Sequence, residues 1–282
     1  MIEYIICLIA LSIGSITDLK TREVPDYLNF ALIVTGFGMA ILATILNKDI
    51  SYIYTSLIGF AFCFIFSVIM YYTGQWGGGD AKILMGIGSV IGISYATLRS
   101  FEMPFLLLFL LLTFFIGGIY GIVWLSIVLI KNWQSFKKTY KTVYNQSNKY
   151  IRYALYCCVP LLLIGAIVAE EVLLKATLAV MSIMFFFLYY SFIAIKVLEE
   201  IAFIKEQPIE KVTEGDWVAE DVIVNEKIII SKKNLGVTKE QLAELIALAK
   251  KGKLKTVKVK YGIPFVPSFL MAFITTLVLW LR

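Results

Sequence analysis

The sequence contains no histidine among its 282 residues. That absence excludes metal sites built on imidazole and every Ser-His or Cys-His nucleophile system. The four cysteines offer little more: Cys7 and Cys63 lie inside apolar runs, Cys157 and Cys158 are adjacent, and none forms the Cys-x-x-Cys pair of a structural zinc site. Charge is also scarce, at 16% of residues against 60% hydrophobic, a balance that rules out a soluble globular domain of this length. No charged segment precedes the first apolar run and no small-residue cleavage site precedes Asp18, so that run is expected to be a retained span rather than a secretory signal.

What is present instead is a series of uncharged apolar runs at 4–17, 28–46, 50–72, 83–98, 104–130, 153–169, 176–195 and 263–281. A helix needs about 20 apolar residues to cross the hydrocarbon. The expected fold class is therefore an all-α polytopic membrane protein with about eight transmembrane helices. The first and fourth runs are short, reaching about 21 and 24 Å at about 1.5 Å per residue. Their charged ends, Asp18 and Asp80, are expected at or under the headgroups.

Lys and Arg gather on the cytoplasmic side of short loops. With eight spans, one side carries 22 of the 26 basic residues, in the segments 18–27, 73–82, 131–152 and 196–262, and the other carries Lys48, Arg99, Lys175 and Arg282. The expected localisation is the cell membrane, with the N-terminus outside and both Asp18 and Asp80 at the cytoplasmic boundary. The net charge of +6 then points to an anionic lipid bilayer as partner, not to nucleic acid. Lys137, Lys138 and Lys141 alternate with Trp133, Phe136, Tyr140 and Tyr144, a basic and aromatic pattern expected of an interfacial segment.

Three divisions are expected: a transmembrane catalytic domain at 1–195, a small cytoplasmic α+β module at 196–262, and a last transmembrane helix at 263–282. Within the module, strand signals occupy 217–224, 227–230 and 256–260, with a turn at Val224-Asn225-Glu226. Thr238-Lys239-Glu240-Gln241 is a capping box for a helix with apolar stripe Leu242, Leu245, Ile246 and Ala249, ending at Gly252. The module carries no recognisable catalytic motif, and a substrate-docking or packing role is expected of it.

Asp18 and Asp80 are the acids that flank hydrocarbon, where a carboxylate is expensive and marks a functional site. Asp18 ends one helix, where the macrodipole opposes negative charge, and Asp80 begins another, where it favours it. Such a pair suits acid/base chemistry, with Asp18 holding the proton and Asp80 acting as the ionised base. Gly77, Gly78 and Gly79 precede Asp80; lacking Cβ atoms, they allow a substrate backbone to approach and permit a positive φ. A phosphate loop is excluded, since Gly79-Asp80-Ala81-Lys82 has neither the spacing nor the Ser/Thr of that motif.

Asp18-Leu19-Lys20-Thr21-Arg22-Glu23-Val24-Pro25-Asp26-Tyr27-Leu28-Asn29 resembles the first-aspartate loop of the type IV prepilin peptidases, and Gly77-Gly78-Gly79-Asp80-Ala81-Lys82-Ile83-Leu84 resembles their Gly-x-Gly-Asp segment. The likeness covers residues 1 to 95. It implies a membrane aspartic endopeptidase with Asp18 and Asp80 as the catalytic pair, Gly77 and Gly79 as motif glycines, and Asp26 and Lys82 in structural or substrate-positioning roles. Tyr261-Gly262-Ile263-Pro264-Phe265-Val266-Pro267 resembles the start of the family's last helix and is expected to help shape the cleft.

Bacterial members carry paired Cys-x-x-Cys motifs near the N-terminus and methylate the new N-terminus. The pattern here, with the first aspartate at position 18, is similar to the compact archaeal preflagellin and prepilin peptidases, for which cleavage alone is expected. The resemblance implies pilin-like or archaellin precursors as substrates, cut where a basic leader peptide meets an apolar helix, with no metal and no other cofactor. Glu23 and Asp26 are the acids nearest to receive such a leader. The alternatives are an ion-coupled transporter, which would place its acids near the midplane and show a repeat between halves, a non-catalytic scaffold in which the aspartates cap helices, and a presenilin-type protease.

Overall fold

The computed structural model describes residues 1–100, 102–224, 227–232, 234, 236–252 and 254–281. The expected turn residues Asn225 and Glu226, and Arg282 from the charge audit, lie outside the described residues. The helices in chain order are α1 (Ile2–Thr21), α2 (Asp26–Asn47), α3 (Ser51–Tyr72), α4 (Gly78–Ile91), α5 (Tyr95–Arg99), α6 (Phe105–Lys131), α7 (Trp133–Gln146), α8 (Lys149–Val168), α9 (Val172–Leu198), α10 (Lys239–Lys250) and α11 (Val266–Trp280). The strands are β1 (Ile204–Pro208), β2 (Trp217–Val218), β3 (Val222–Val224), β4 (Lys227–Ile230) and β5 (Thr256–Lys260). They form two compact units, Met1–Trp124 with Glu206–Arg282, and Leu125–Lys205.

Among the described residues, six helices are long and apolar enough to cross a membrane: α1, α2, α3, α6, α8, and α9 with the turn that follows it. Six of the eight expected spans fall on these helices, and the other two, 83–98 and 263–281, fall on the shorter α4 and α11. The fourth expected span, 83–98, is cut at Gly92, where φ is 68° and the N–H of Ile93 turns aside to the Thr55 carbonyl at 2.9 Å. What remains is α4, 14 residues long. The last span is α11, 15 residues long. The first is longer than expected, because α1 continues through Asp18 to Thr21 for 20 residues, and ends on Arg22 at φ 61°, whose N–H closes on the Asp18 carbonyl. Charged residues end the apolar run but not the helix.

In the first unit, α4 lies between α2 and α3 at distances only small residues permit. A Cβ on Gly59 of α3 would sit 2.4 Å from the Gly88 carbonyl oxygen of α4, so the two backbones touch directly. Ser56 Oγ donates to the Ser89 carbonyl at 2.7 Å and Ser67 Oγ to the Ala81 carbonyl at 2.9 Å, binding α3 to α4 across its length. The buried core of this unit includes Leu11, Ile83, Leu84, Ile87, Leu106, Phe109, Phe269 and Phe273.

The small module folds around its own core of Ile209, Val218, Val222, Ile230, Leu245, Val257 and Val259. Strand β5 reads Thr-Val-Lys-Val-Lys, and its period of two buries Val257 and Val259 while Lys258 and Lys260 face out. It is central in a sheet of order β1-β5-β2, and pairs antiparallel with β2, Trp217 opposite Lys260 and Val218 opposite Val259. The expected strand 217–224 is in fact two, since β3 leaves this sheet and pairs with β4 in a hairpin of its own. Strand β1 was not expected; Ile-Lys-Glu-Gln-Pro is too polar to signal a strand and serves at an edge. The capping box of α10 forms as expected, with the Gln241 N–H on Thr238 Oγ1 and the Thr238 N–H on Gln241 Oε1.

The second unit begins inside α6, at Leu125. Helix α7 stacks Trp133, Phe136, Tyr140 and Tyr144 along one side, with successive ring centroids 5.6–6.1 Å apart, and Lys137 lies 5.0 Å over Trp133. Helices α8 and α9 form a hairpin whose break falls at Ala169–Glu171, beside the Glu170-Glu171 pair that separates the two apolar runs.

Candidate active site

Asp18 stands in the last turn of α1, 5% exposed, and its Oδ2 accepts the N–H of Val266 at 2.9 Å. Val266 is the first residue of α11, so this N–H is one of the donors a helix start leaves without an internal partner. Asp18 therefore caps a helix 248 positions away. The dipole of α1 opposes charge at this carboxyl and that of α11 favours it, which offsets the one-sided dipole expected from sequence.

Asp80 is half-buried at the third position of α4, and its Oδ2 reaches back to accept the N–H of Gly77 at 3.1 Å. That contact is the acidic half of a capping box. The glycines act differently from expectation. Gly77 has φ −71°, and the positive-φ turn is made earlier, at Gly74 with φ 70°. Gly79 lies against the chain's own first loop: a Cβ there would sit 3.1 Å from Val24 Cβ. Close approach is used to join the two motif loops.

Two further contacts hold the loops together. Lys82 Nζ and Asp26 Oδ1 form an ion pair at 2.6 Å between α4 and the start of α2. Trp76, just before the glycines and 4% exposed, is enclosed by Phe66 and Phe114 at centroid distances of 5.5 and 6.2 Å, and by Phe265 and Phe269 at 6.0 and 5.0 Å. The start of α11 thus meets both motifs: its backbone holds Asp18 and its rings hold the residue that leads into Asp80.

The module borders the same place. Arg22 donates to the Gly262 carbonyl and lies 5.8 Å over the Tyr261 ring, while Glu23 Oε1 accepts the Thr213 hydroxyl at 3.2 Å. On the other motif, the Trp217 ring sits 3.4 Å from where a Gly74 Cβ would be. Glu23 and Asp26, the acids singled out for a leader, are therefore already engaged, by Thr213 and Lys82. Sequence reasoning missed Trp76 and Trp217; the position of Trp76, at the end of an apolar run and against a glycine triplet, was its one signal.

This arrangement of two acids on neighbouring helix ends occupies the segment that has known counterparts. Residues 5–122 match the type IV leader peptidase family. Preflagellin peptidases of three archaea are similar to the chain: that of Methanococcus maripaludis is 39% identical over 104 residues, covering 37% of this chain and 42% of the relative. That of Methanocaldococcus jannaschii is 37% identical over 91 residues (32% and 38%), and that of Methanococcus voltae 36% over 137 residues (47% and 58%). The chain thus spans about half the length of the curated relatives it matches. The family match and the six long apolar helices together make it a multi-pass membrane protein.

Proposed function

We propose that this protein is an aspartic endopeptidase that removes the basic leader from preflagellin or pilin-like precursors at the cytoplasmic face of the membrane. The observation that carries the proposal is that the start of α11 meets both motifs, through the Val266 N–H on Asp18 and through the Phe265 and Phe269 rings on Trp76, which leads into Asp80, both acids lying in the segment that matches the leader peptidase family. One carboxylate of the pair, ionised, takes a proton from water as the water oxygen attacks the scissile carbonyl carbon, while the other, protonated, gives its proton to the carbonyl oxygen. The amine then leaves with the first proton, and re-formation of the carbonyl returns the second to the carboxylate that gave it. Asp26 and Lys82 keep the two helix ends in register, and Gly79 keeps the loops in contact.

The basic residues beside the acids favour this orientation, because a leader that stays on the cytoplasmic side meets the motif loops before the hydrocarbon. Transport finds no support in the geometry: both acids sit at helix ends and each carboxylate accepts a backbone N–H. The test is a detergent-solubilised assay with a synthetic precursor, a short Lys-rich leader followed by an apolar helix, read by mass spectrometry. Cleavage at one bond at the leader junction is expected, with none by Asp18→Asn or Asp80→Asn. Full cleavage by either variant excludes the aspartyl mechanism.

A further inference from the structure

Among the described residues, two hydrogen-bond donors on α6 have nothing to bond: Tyr120 Oη and Trp124 Nε1 are shielded from solvent without a partner. Both belong to α6, and their ring centroids are 5.9 Å apart. Leaving a buried donor unmade is unfavourable, and such groups in native structures call for a reason.

Their position supplies one. One turn before Tyr120, Gly117 lies so near Phe265 that a Cβ would be 2.6 Å from its ring. Phe265 is followed by Val266, whose N–H holds Asp18. Tyr120 thus lies one helical turn from the point where α6 packs on the residue that precedes the Asp18 contact.

The chemistry of the pair selects the ligand. An indole N–H only donates, and a phenol donates readily, so the complement is a row of acceptors. Residues four apart on a helix rise about 6 Å. Carbonyls on one side of an extended peptide repeat every two residues, about 6.6–6.8 Å. A substrate helix must unwind for its scissile bond to be attacked, and its released carbonyls then lack partners in a place with little water.

We infer that Tyr120 and Trp124 receive two same-side carbonyls of the unwound substrate segment, aligning it along α6 beside Asp18. This inference rests on the peptidase reading above. It makes both residues substrate-binding groups whose bonds exist only in the complex.

The test is Tyr120→Phe, which removes one oxygen and keeps the ring, with Trp124→Phe as a second variant. Each is assayed with the synthetic precursor for kcat/KM and, without substrate, for its thermal midpoint. Tyr120→Phe is expected to lose at least tenfold in kcat/KM with its midpoint unchanged, and Trp124→Phe to lose activity in the same direction. Wild-type kcat/KM in Tyr120→Phe overturns the inference while leaving the peptidase reading intact. A midpoint lowered by several degrees also overturns it, because the hydroxyl would then be bonded in the free enzyme. Absence of cleavage by the wild-type protein removes the peptidase reading, and this inference with it.

Discussion

Replacing Trp76 with alanine tests whether the aromatic enclosure holds the loop that carries Asp80. Trp76 is 4% exposed and has four phenylalanine neighbours at 5.0–6.2 Å, from α3, α6 and α11. Truncating a buried Trp costs about 3–5 kcal/mol. Aromatic pairs add about 0.5–1.5 kcal/mol each beyond burial, so Trp76→Phe, which keeps part of the contact, should fall well below that range. Because Trp76 leads directly into the glycines and Asp80, a shift of about 1 Å in the loop is expected to lower the cleavage rate by about a hundredfold. Stability is measured by circular dichroism during an SDS titration in mixed micelles, and activity with the synthetic precursor. Phe64→Ala serves as the control, since that ring is 45% exposed and should matter by less than about 1 kcal/mol. If Trp76→Ala stays within about 1 kcal/mol of wild type and cleaves normally, the enclosure is not what positions Asp80.

Other perturbations follow from the same contacts. Gly59→Val inserts a branched side chain where a Cβ alone would stand 2.4 Å from the Gly88 carbonyl oxygen; it should separate α3 from α4 and abolish accumulation of folded protein, scored by detergent-stable yield. Lys82→Met removes an exposed ion pair, so stability should change by less than about 1 kcal/mol in the SDS titration. A several-fold loss of kcat/KM in the same variant would be the signature of a positioning role. Arg22→Ala cuts the tie from the first loop to Gly262 and Tyr261, and hydrogen exchange in the module strands should quicken while that of α3 stays unchanged. A pair that shares one proton should give a bell-shaped dependence of kcat/KM on pH, with apparent values that belong to the pair.

The sequence made the two acids conspicuous because carboxylates beside hydrocarbon are rare, and it made α10 and β5 legible because their apolar periods of 3.6 and 2 are intact. It could not reveal what holds the acids. The bond from Val266 to Asp18 is made by a backbone N–H, which every residue but proline carries and no pattern marks. The glycine triplet was expected to turn the chain by a positive φ, yet Gly74 does so, because the conformation depends on where the apolar end of α3 must release the chain. The fourth expected span, 83–98, overran its helix, because apolar composition continues past Gly92 although the helix stops. The splitting of 217–224 into two strands likewise depended on long-range pairing with β5, which local signals do not encode.

The central claim is that Asp18 and Asp80 act as one unit. The direct measurement is the precursor cleavage rate of Asp18→Asn, Asp80→Asn and the double variant, each with its SDS-titration midpoint. Groups that act together are non-additive, so each single variant should fall to the same residual rate as the double, with folding preserved. A single variant that keeps a substantial fraction of wild-type cleavage, so that the double loses the product of two independent effects, would contradict the shared mechanism.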